Sequence, residues 1–338
     1  MNKHYDVYGI GNALVDKEFS VDGDFLSESG IEKGYMTLIE EEQQGQLLET
    51  LHNRFGLRAR AGGGSAANTL YAVSQFGGNA FYSCKVANDE TGDFYMKALG
   101  DHNIETNLSE HREAGTTGRC LVMITEDAER TMLTHLGISQ FVSEAELRPE
   151  KVARSSHVYI EGYLVTSDTA RKAAITLKRI AEDNGVRTAF TFSDPSMVQY
   201  FADGVNEVLG TTGVDLLFCN EQEALIWSGE SKLDAACRKM EAVARQFVVT
   251  RGKEGALLYD GEEYLTVKAH PVKAVDSNGA GDMFSGAFLY GLSREYSFHA
   301  AGTLASLAAG TVVSHYGPRL TPLQHQEVLD HFTRLHAL

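Results

Sequence analysis

Short apolar runs rich in Val, Ile, Tyr and Phe alternate with helix-patterned segments along most of this 338-residue chain, and that rhythm does most to narrow its fold. His157 to Ile160 reads as a strand, Asp168 to Asn184 as a helix, and Arg187 to Phe192 and Asp215 to Cys219 as further strands. A helix from Glu221, another from Leu233 to Arg245 and a strand from Gln246 to Thr250 continue the pattern. Such alternation implies βαβ crossovers, and hence a mostly parallel sheet covered on both faces. The length suits one large core with an accessory element, since single cores stop growing at roughly 250–300 residues. With five prolines and no proline-rich linker, we expect one unit over 1–338.

Two stretches break the rhythm. Val15 to Leu38 and Gly118 to Gly137 contain alternating segments, such as Arg119 to Ile124 and Thr131 to Thr134, that read as antiparallel hairpin strands. Contributed from about 13–38 and 112–137, they would form a small sheet standing off the main one. It would serve as a lid, because open α/β sheets bind ligands beyond the carboxyl ends of their strands. Edge hairpins that extend the main sheet are the alternative.

With 30 Lys and Arg against 46 Asp and Glu, the formal charge is 30 − 46 = −16. This excess argues against nucleic acid or an anionic membrane as the main partner, since both need a basic face. The first apolar run is broken by Gly9, Gly11 and Asn12 and is too short for an export signal, and no stretch approaches the ~20 apolar residues of a membrane span. Cys84, Cys120, Cys219 and Cys237 are scattered, with no C-x-x-C pair. These features fit a cytoplasmic protein with buried, reduced thiols. Monomer and homodimer both remain open.

The sharpest chemical signal is Val275-Asp276-Ser277-Asn278-Gly279-Ala280-Gly281-Asp282, which leads into a helix of small residues. A glycine-rich turn opening a helix leaves amides unpaired and lets the backbone approach a phosphate. As a plain cap, Asp282 would repel that phosphate. Its presence makes sense if it takes a proton from a hydroxyl attacking the phosphate. The competing reading is a helix cap beside an ordinary turn. A second signal is Gly62-Gly63-Gly64-Ser65-Ala66-Ala67-Asn68. Successive glycines cost chain entropy and are expected where a ligand touches backbone, and Asn68 can both donate to and accept from a hydroxyl.

Gly63 to Asn68 and Asp276 to Asp282 together resemble the two motifs of the ribokinase (PfkB-type) carbohydrate and nucleoside kinases. Asn220 to Glu223 matches the family's N-x-x-E and Thr250-Arg251-Gly252 its T-x-G, all in the family's order. The resemblance implies a ribokinase-like three-layer α/β/α fold with a mostly parallel central sheet and a small β-sheet lid. It also implies phosphoryl transfer from ATP with Mg²⁺. Asp282 would be the general base, and the amides of Gly279, Ala280 and Gly281 would hold the charge that builds on the phosphoryl group. Asn220 and Glu223 would organise the Mg²⁺ water shell, with Thr250 and Gly252 along the ATP phosphates and ribose. Asp276 matches the carboxylate that binds a monovalent cation such as K⁺.

Within the family, Gly9 to Asp16 resembles the adenosine kinase-like subgroup. There Asn12 and Asp16 would reach the ribose, beside Gly63, Gly64 and Asn68. Met36 and Leu38, with Met132, Thr134 and Tyr163, would wall in a purine, and Arg130 would meet the phosphates as the lid closes. Two positions depart from the family pattern: Asn278, where a Thr-type residue is usual, and Pro318, where a small residue precedes Arg. A nicotinamide-binding Rossmann enzyme is disfavoured because Leu14 replaces the third glycine after Gly9 and Gly11. Neither a Walker A sequence nor G-x-S-x-G is present. The sequence therefore points to transfer onto the 5′-hydroxyl of a purine nucleoside, adenosine first. The alternatives are a PfkB-type sugar kinase for 2-keto-3-deoxygluconate, ribose or fructose, and a catalytically silent nucleoside binder.

Overall fold

The computed structural model describes residues 4–109 and 112–336, so the outer limits of the expected 1–338 unit lie outside the described residues. In chain order the first seven strands are β1 (Tyr5–Ile10), β2 (Leu14–Ser20), β3 (Met36–Leu38), β4 (Ala59–Gly63), β5 (Ala80–Ser83), β6 (Ile104–Thr106) and β7 (Thr117–Ile124). They are followed by β8 (Arg130–Gly137), β9 (Ser155–Ile160), β10 (Arg187–Thr191), β11 (Val214–Asn220), β12 (Ala244–Thr250), β13 (Ala256–Tyr259) and β14 (Tyr264–Val267). Nine of them form the main sheet in the order β14-β13-β12-β11-β10-β9-β1-β5-β6, parallel from β12 to β6 and antiparallel at β13 and β14.

The alternation of side chains along a strand explains the three layers. Val7, Tyr82, Leu216 and Val248 enter one core under the helices Ser65–Gln75, Ala280–Ser293 and Phe298–Val313. Their neighbours Tyr8, Phe81, Leu217 and Phe247 enter another under the helices Asp168–Asp183 and Glu221–Ser228. A sheet buried on both faces must be apolar on both, hence the nearly continuous hydrophobic runs in its parallel strands.

The remaining five strands form the small separate sheet, in the order β3-β8-β7-β2-β4. The β7–β8 pair is the expected antiparallel hairpin, but β2 pairs with β7, and β3 with β8, in parallel. The first stretch, Val15 to Leu38, therefore does not form the antiparallel hairpin expected of it: its strands pair with those of the second stretch, which meet them without a tight turn to fix their direction. The glycine-rich stretch also supplies β4, antiparallel to β2, before its turn into a helix. One face of this sheet packs Phe19, Leu121, Met123 and Leu133 with Leu51 of the helix Glu41–Phe55.

The helix expected over Leu233 to Arg245 ends at Met240, and Ala244 already pairs with Val214 in the sheet. Ala-Val-Ala-Arg is a good helix sequence, and sheet pairing overrides it. No described helix is long and apolar enough to cross a membrane. The four cysteines are buried and unbridged.

Candidate active site

A cavity of about 280 Å³ lies between the carboxyl ends of the central strands, the small sheet and the start of the helix Ala280–Ser293. Gly279 precedes that helix with φ +73°, and a Cβ there would stand 2.5 Å from the Cβ of Pro318, so only glycine fits. This is where the Pro318 departure acts. At Gly281 an added Cβ would meet nothing, which leaves its backbone open to the cavity. The first amides of a helix have no intrahelical partner; here no side chain caps them and Gly279, Ala280 and Gly281 all line the cavity, with the Ala280 amide reaching back to the carbonyl of Ser277 at 3.3 Å.

Asp282 is not the helix cap. Its Oδ1 accepts from the Ser65 hydroxyl at 2.6 Å and its Oδ2 from Asn68 Nδ2 at 3.1 Å. Burial raises its pKa, while the bonds from Ser65 and Asn68 oppose the rise. A carboxylate tethered this way beside open amides can take a proton from a hydroxyl at the same place that a phosphoryl group would be received.

Gly64, at φ +93°, brings the second glycine motif against the first strand connection, where an added Cβ would lie 2.1 Å from the carbonyl oxygen of Asn12. Gly63 lies outside the cavity lining and backs Asp16, since a Cβ there would sit 2.2 Å from the Asp16 carboxylate. Asp16 is only 6% exposed and lines the cavity, and among the described residues no donor reaches its carboxylate, although its backbone pairs within the small sheet. Burial, then the nearby Glu18 charge, push its pKa well up. Asn12 is held by Ser139, whose hydroxyl donates to its Oδ1 at 3.2 Å, and by Glu161, which accepts its backbone N–H at 3.2 Å.

On the lid side Met36, Met132 and Thr134 line the cavity, and Tyr163, just after β9, lines it from the body. The Thr134 hydroxyl donates to Cys120 Sγ at 3.3 Å. Leu38 does not join them: it is 38% exposed, because β3 ends there at the edge of its sheet. Arg130 lines the cavity, but its Nη1 lies 3.5 Å from the wholly buried Asp194, whose other oxygen accepts the Met36 amide at 3.4 Å. One body carboxylate therefore holds both lid segments. The Ser277 amide also donates to the carbonyl of Ala128, in the turn between β7 and β8, at 3.1 Å.

At the end of β11, Asn220 and Glu223 form a capping box. The Glu223 amide donates to Asn220 Oδ1 at 2.8 Å and the Asn220 amide to Glu223 Oε2 at 2.9 Å. Capping and cavity lining coexist here, and Glu223 is 3% exposed with its pKa raised by burial to about 8. A divalent cation carried by phosphates would meet these groups through water, since their own oxygens are engaged. Thr250 pairs with Asn220 across the strands and lines the cavity, whereas Gly252 begins the next turn outside it. Asp276 is also outside the cavity. It is wholly buried and accepts the amides of Asn278 and Gly317 at 2.8 Å each. Asn278, the other departure, donates from its side chain to buried Glu18 at 3.2 Å, which joins the motif loop to β2. Burial and the Asp276 charge raise Glu18 to about 7.

Ser65, Glu161, Asp194 and Arg319 were not singled out from the sequence. Ser65 lies inside a motif already noted, and Glu161 directly follows β9 at the sheet's ligand-binding edge, so both had a signal. Arg319 is the arginine of the family segment that Pro318 precedes, so it too had a signal, though not for a role at the site; Asp194 had none.

A sheet whose strand ends face open helix amides, with a tethered carboxylate beside them, defines a small-molecule kinase that phosphorylates an alcohol. The chain belongs to the pfkB family of carbohydrate kinases, whose profile matches residues 36–325. It is 34% identical to the structure of adenosine kinase from Sinorhizobium meliloti, covering 96% of this chain and 98% of that one with a TM-score of 0.89. The structure of a probable sugar kinase from Rhizobium etli CFN 42 is 32% identical, covering 98% and 99% with a TM-score of 0.91. Adenosine kinase of Saccharomyces cerevisiae is 24% identical over 328 residues, 91% of this chain and 95% of that protein.

Proposed function

We propose that this kinase transfers the γ-phosphoryl group of ATP to the 5′-hydroxyl of a purine nucleoside, adenosine first. The observation that carries the reading is Asp16, a buried carboxylate without a hydrogen-bond donor, facing the cavity that also holds Asp282. Such a group is costly to keep unless a ligand supplies donors, and a vicinal diol offers two. Asn12 and Asn68 would complete the ribose contacts, with Gly64 bringing the backbone close and Gly63 leaving room for the Asp16 carboxylate. Met36, Met132, Thr134 and Tyr163 offer an adaptable, largely apolar wall for a flat base.

Charge speaks against a sugar acid. Among the described residues lining the cavity Arg130 is the one cation, already paired with Asp194, whereas Asp16, Glu161 and Asp282 are all carboxylates. An anionic acceptor such as 2-keto-3-deoxygluconate would find no free cation there to pair with its carboxylate.

In the reaction Asp282 takes the proton of the 5′-hydroxyl as its oxygen attacks, and the amides of Gly279, Ala280 and Gly281 receive the charge on the transferring group. Mg²⁺ carried with ATP neutralises the phosphates; Asn220 and Glu223 would orient its water, with Thr250 and Gly252 beside the nucleotide. Arg130 would leave Asp194 for the phosphates. A monovalent cation such as K⁺ at Asp276 would share a carboxylate that already fixes two amides, with Glu18 close enough to feel its charge.

The test is an ATP-consumption panel with adenosine, inosine, guanosine, ribose, fructose and 2-keto-3-deoxygluconate. Adenosine should be the best acceptor. Turnover with sugars alone would replace the reading by a sugar kinase, and turnover with none by a silent binder.

A further inference from the structure

Arg319 follows the Gly317-Pro318 turn and lies outside the cavity, behind the residues that line it. Its Nε donates to Asn68 Oδ1 at 2.9 Å, while the Nδ2 of the same amide donates to Asp282 Oδ2 at 3.1 Å. The guanidinium carbon sits 4.7 Å from the ring centre of Tyr71, whose hydroxyl is tied to the carbonyl of Leu320 at 2.9 Å. The Nη2 of Arg319 is buried without a partner.

A guanidinium can only donate and an ionised carboxylate can only accept. An asparagine amide between the two can bridge them in one orientation, with its oxygen toward the arginine and its nitrogen toward the carboxylate. Arg319 therefore decides which way Asn68 faces, and Asn68 in turn holds Asp282. Without the arginine, either end of the amide could face Asp282, and the oxygen end would repel it.

We propose that Arg319 is a positioning residue of the phosphoryl-transfer site. It fixes the Asn68 amide so that Asp282 stays oriented as an ionised base, and it supplies a buried positive charge behind both Asp282 and Asp16. The proposal rests on the reading of Asp282 as the base. Burial pushes the Asp16 and Asp282 carboxyls up, and Arg319 is among the charges that oppose this at both. The other groups acting electrostatically with Asp282 are Arg130 from β8, Asp16 from β2, Tyr159 from β9, and Glu161 and Tyr163 just after it. Arg319 has a further reason to be tested as functional: an arginine kept in the interior with an unpaired Nη2 is a poor stabilising device.

The experiment compares R319M with the parent enzyme in steady-state kinetics across pH, using adenosine or whichever acceptor of the panel is turned over, and repeats the change in an N68A background. R319M should lower kcat/KM for the acceptor about tenfold or more, move the acid limb of kcat to higher pH by about one pH unit, and leave KM for ATP within about twofold. In N68A the same change should cost clearly less in rate, because the orienting part of the arginine's effect acts through that amide, while the displaced acid limb, which its charge exerts through space, should remain. An unchanged rate and acid limb in R319M, or an undiminished loss in the N68A background, overturns the proposal. R319Q, which keeps a neutral polar end in the same space, gives the same readout if R319M does not fold. D282N in the same assay separates the two failures. If D282N turns over normally, the reading of the site is wrong; if D282N is inactive and R319M is normal, only the Arg319 assignment falls.

Discussion

The Ser65 hydroxyl donates to Asp282 Oδ1 at 2.6 Å, which joins the first residue of one helix to the third of another across 217 positions of chain. Two glycine motifs that lie far apart in sequence are thus two halves of one site, and the carboxylate at their junction is aimed by groups from the first motif.

On the proposed reading, Asp282→Asn removes the base and keeps the shape. We expect kcat to fall by about 10²–10⁴ with nucleoside binding largely retained. Single-turnover kinetics and calorimetry check this, and near-normal turnover would remove Asp282 from its role. Ser65→Ala should have a smaller effect, about tenfold in kcat, since it deletes one of two bonds to the carboxylate.

Asp16→Ala should weaken adenosine binding far more than ATP binding. Losing hydrogen bonds to a charged acceptor costs about 1.5–3 kcal/mol each, so a rise of 10-fold or more in the adenosine Kd is expected. If 2′-deoxyadenosine and adenosine are distinguished equally well before and after the substitution, Asp16 does not read the diol.

Asp194→Asn weakens the tie that holds Arg130 of β8 and Met36 of β3 to the body. A looser lid admits water, so ATP hydrolysis without acceptor should rise severalfold while transfer to the acceptor slows. Unchanged rates of both would show that this pairing does not control lid closure.

Gly279→Ala should be damaging for two independent reasons: the left-handed φ of +73°, which costs a β-carbon about 1–2 kcal/mol, and the 2.5 Å approach to Pro318. We expect a lower Tm and lost activity. Pro318→Ala should not rescue it, because the atoms approached are the Cβ, Cα and carbonyl oxygen of Pro318, all of which alanine keeps; a recovered Tm in the double variant would contradict the steric account.

Stability should depend on pH through Glu161, whose carboxyl is raised by burial to about 8 although it accepts the amides of Ala66 and Asn12. Its folded pKa lies above its unfolded value, so the native state binds the extra proton. This contribution is fully present below about pH 4.5 and is lost as pH rises through about 8. Ligand-free protein should therefore show a falling Tm over that window. The fall should be shallower in Glu161→Gln, and parallel Tm curves for the two would contradict the assignment.

Much of the site was legible because its groups lie in short motifs whose spacing is local. Gly279 to Asp282, Gly63 to Asn68 and Asn220 to Glu223 each announce a helix start by glycine or a capping residue, and the structure places helix starts at all three. Leu38 misled because Met36 and Leu38 share a face in any regular strand, yet β3 stops at Leu38 and leaves it at an exposed edge. The net charge carries no information on where the carboxylates sit. Glu40 to Glu42 are exposed as a solubilising face should be, but Asp16, Glu18, Glu161 and Glu223 are buried around the site.

The alternation of short apolar strands with helices by itself determined the layered α/β body, because burial on both faces of a parallel sheet imposes that pattern residue by residue. The glycine motifs likewise determined where the tight turns into the helices at Ser65 and Ala280 lie, since glycine is required wherever backbone must pass closely. Only the tertiary structure decided the parallel pairings within the lid, the contact of Asp194 with both lid segments, and the line from Arg319 through Asn68 to Asp282. Each of these joins residues separated by dozens to hundreds of positions. Hydrogen-bond direction and the penalty for an unpaired buried charge act through space, so they leave no period or spacing in the chain.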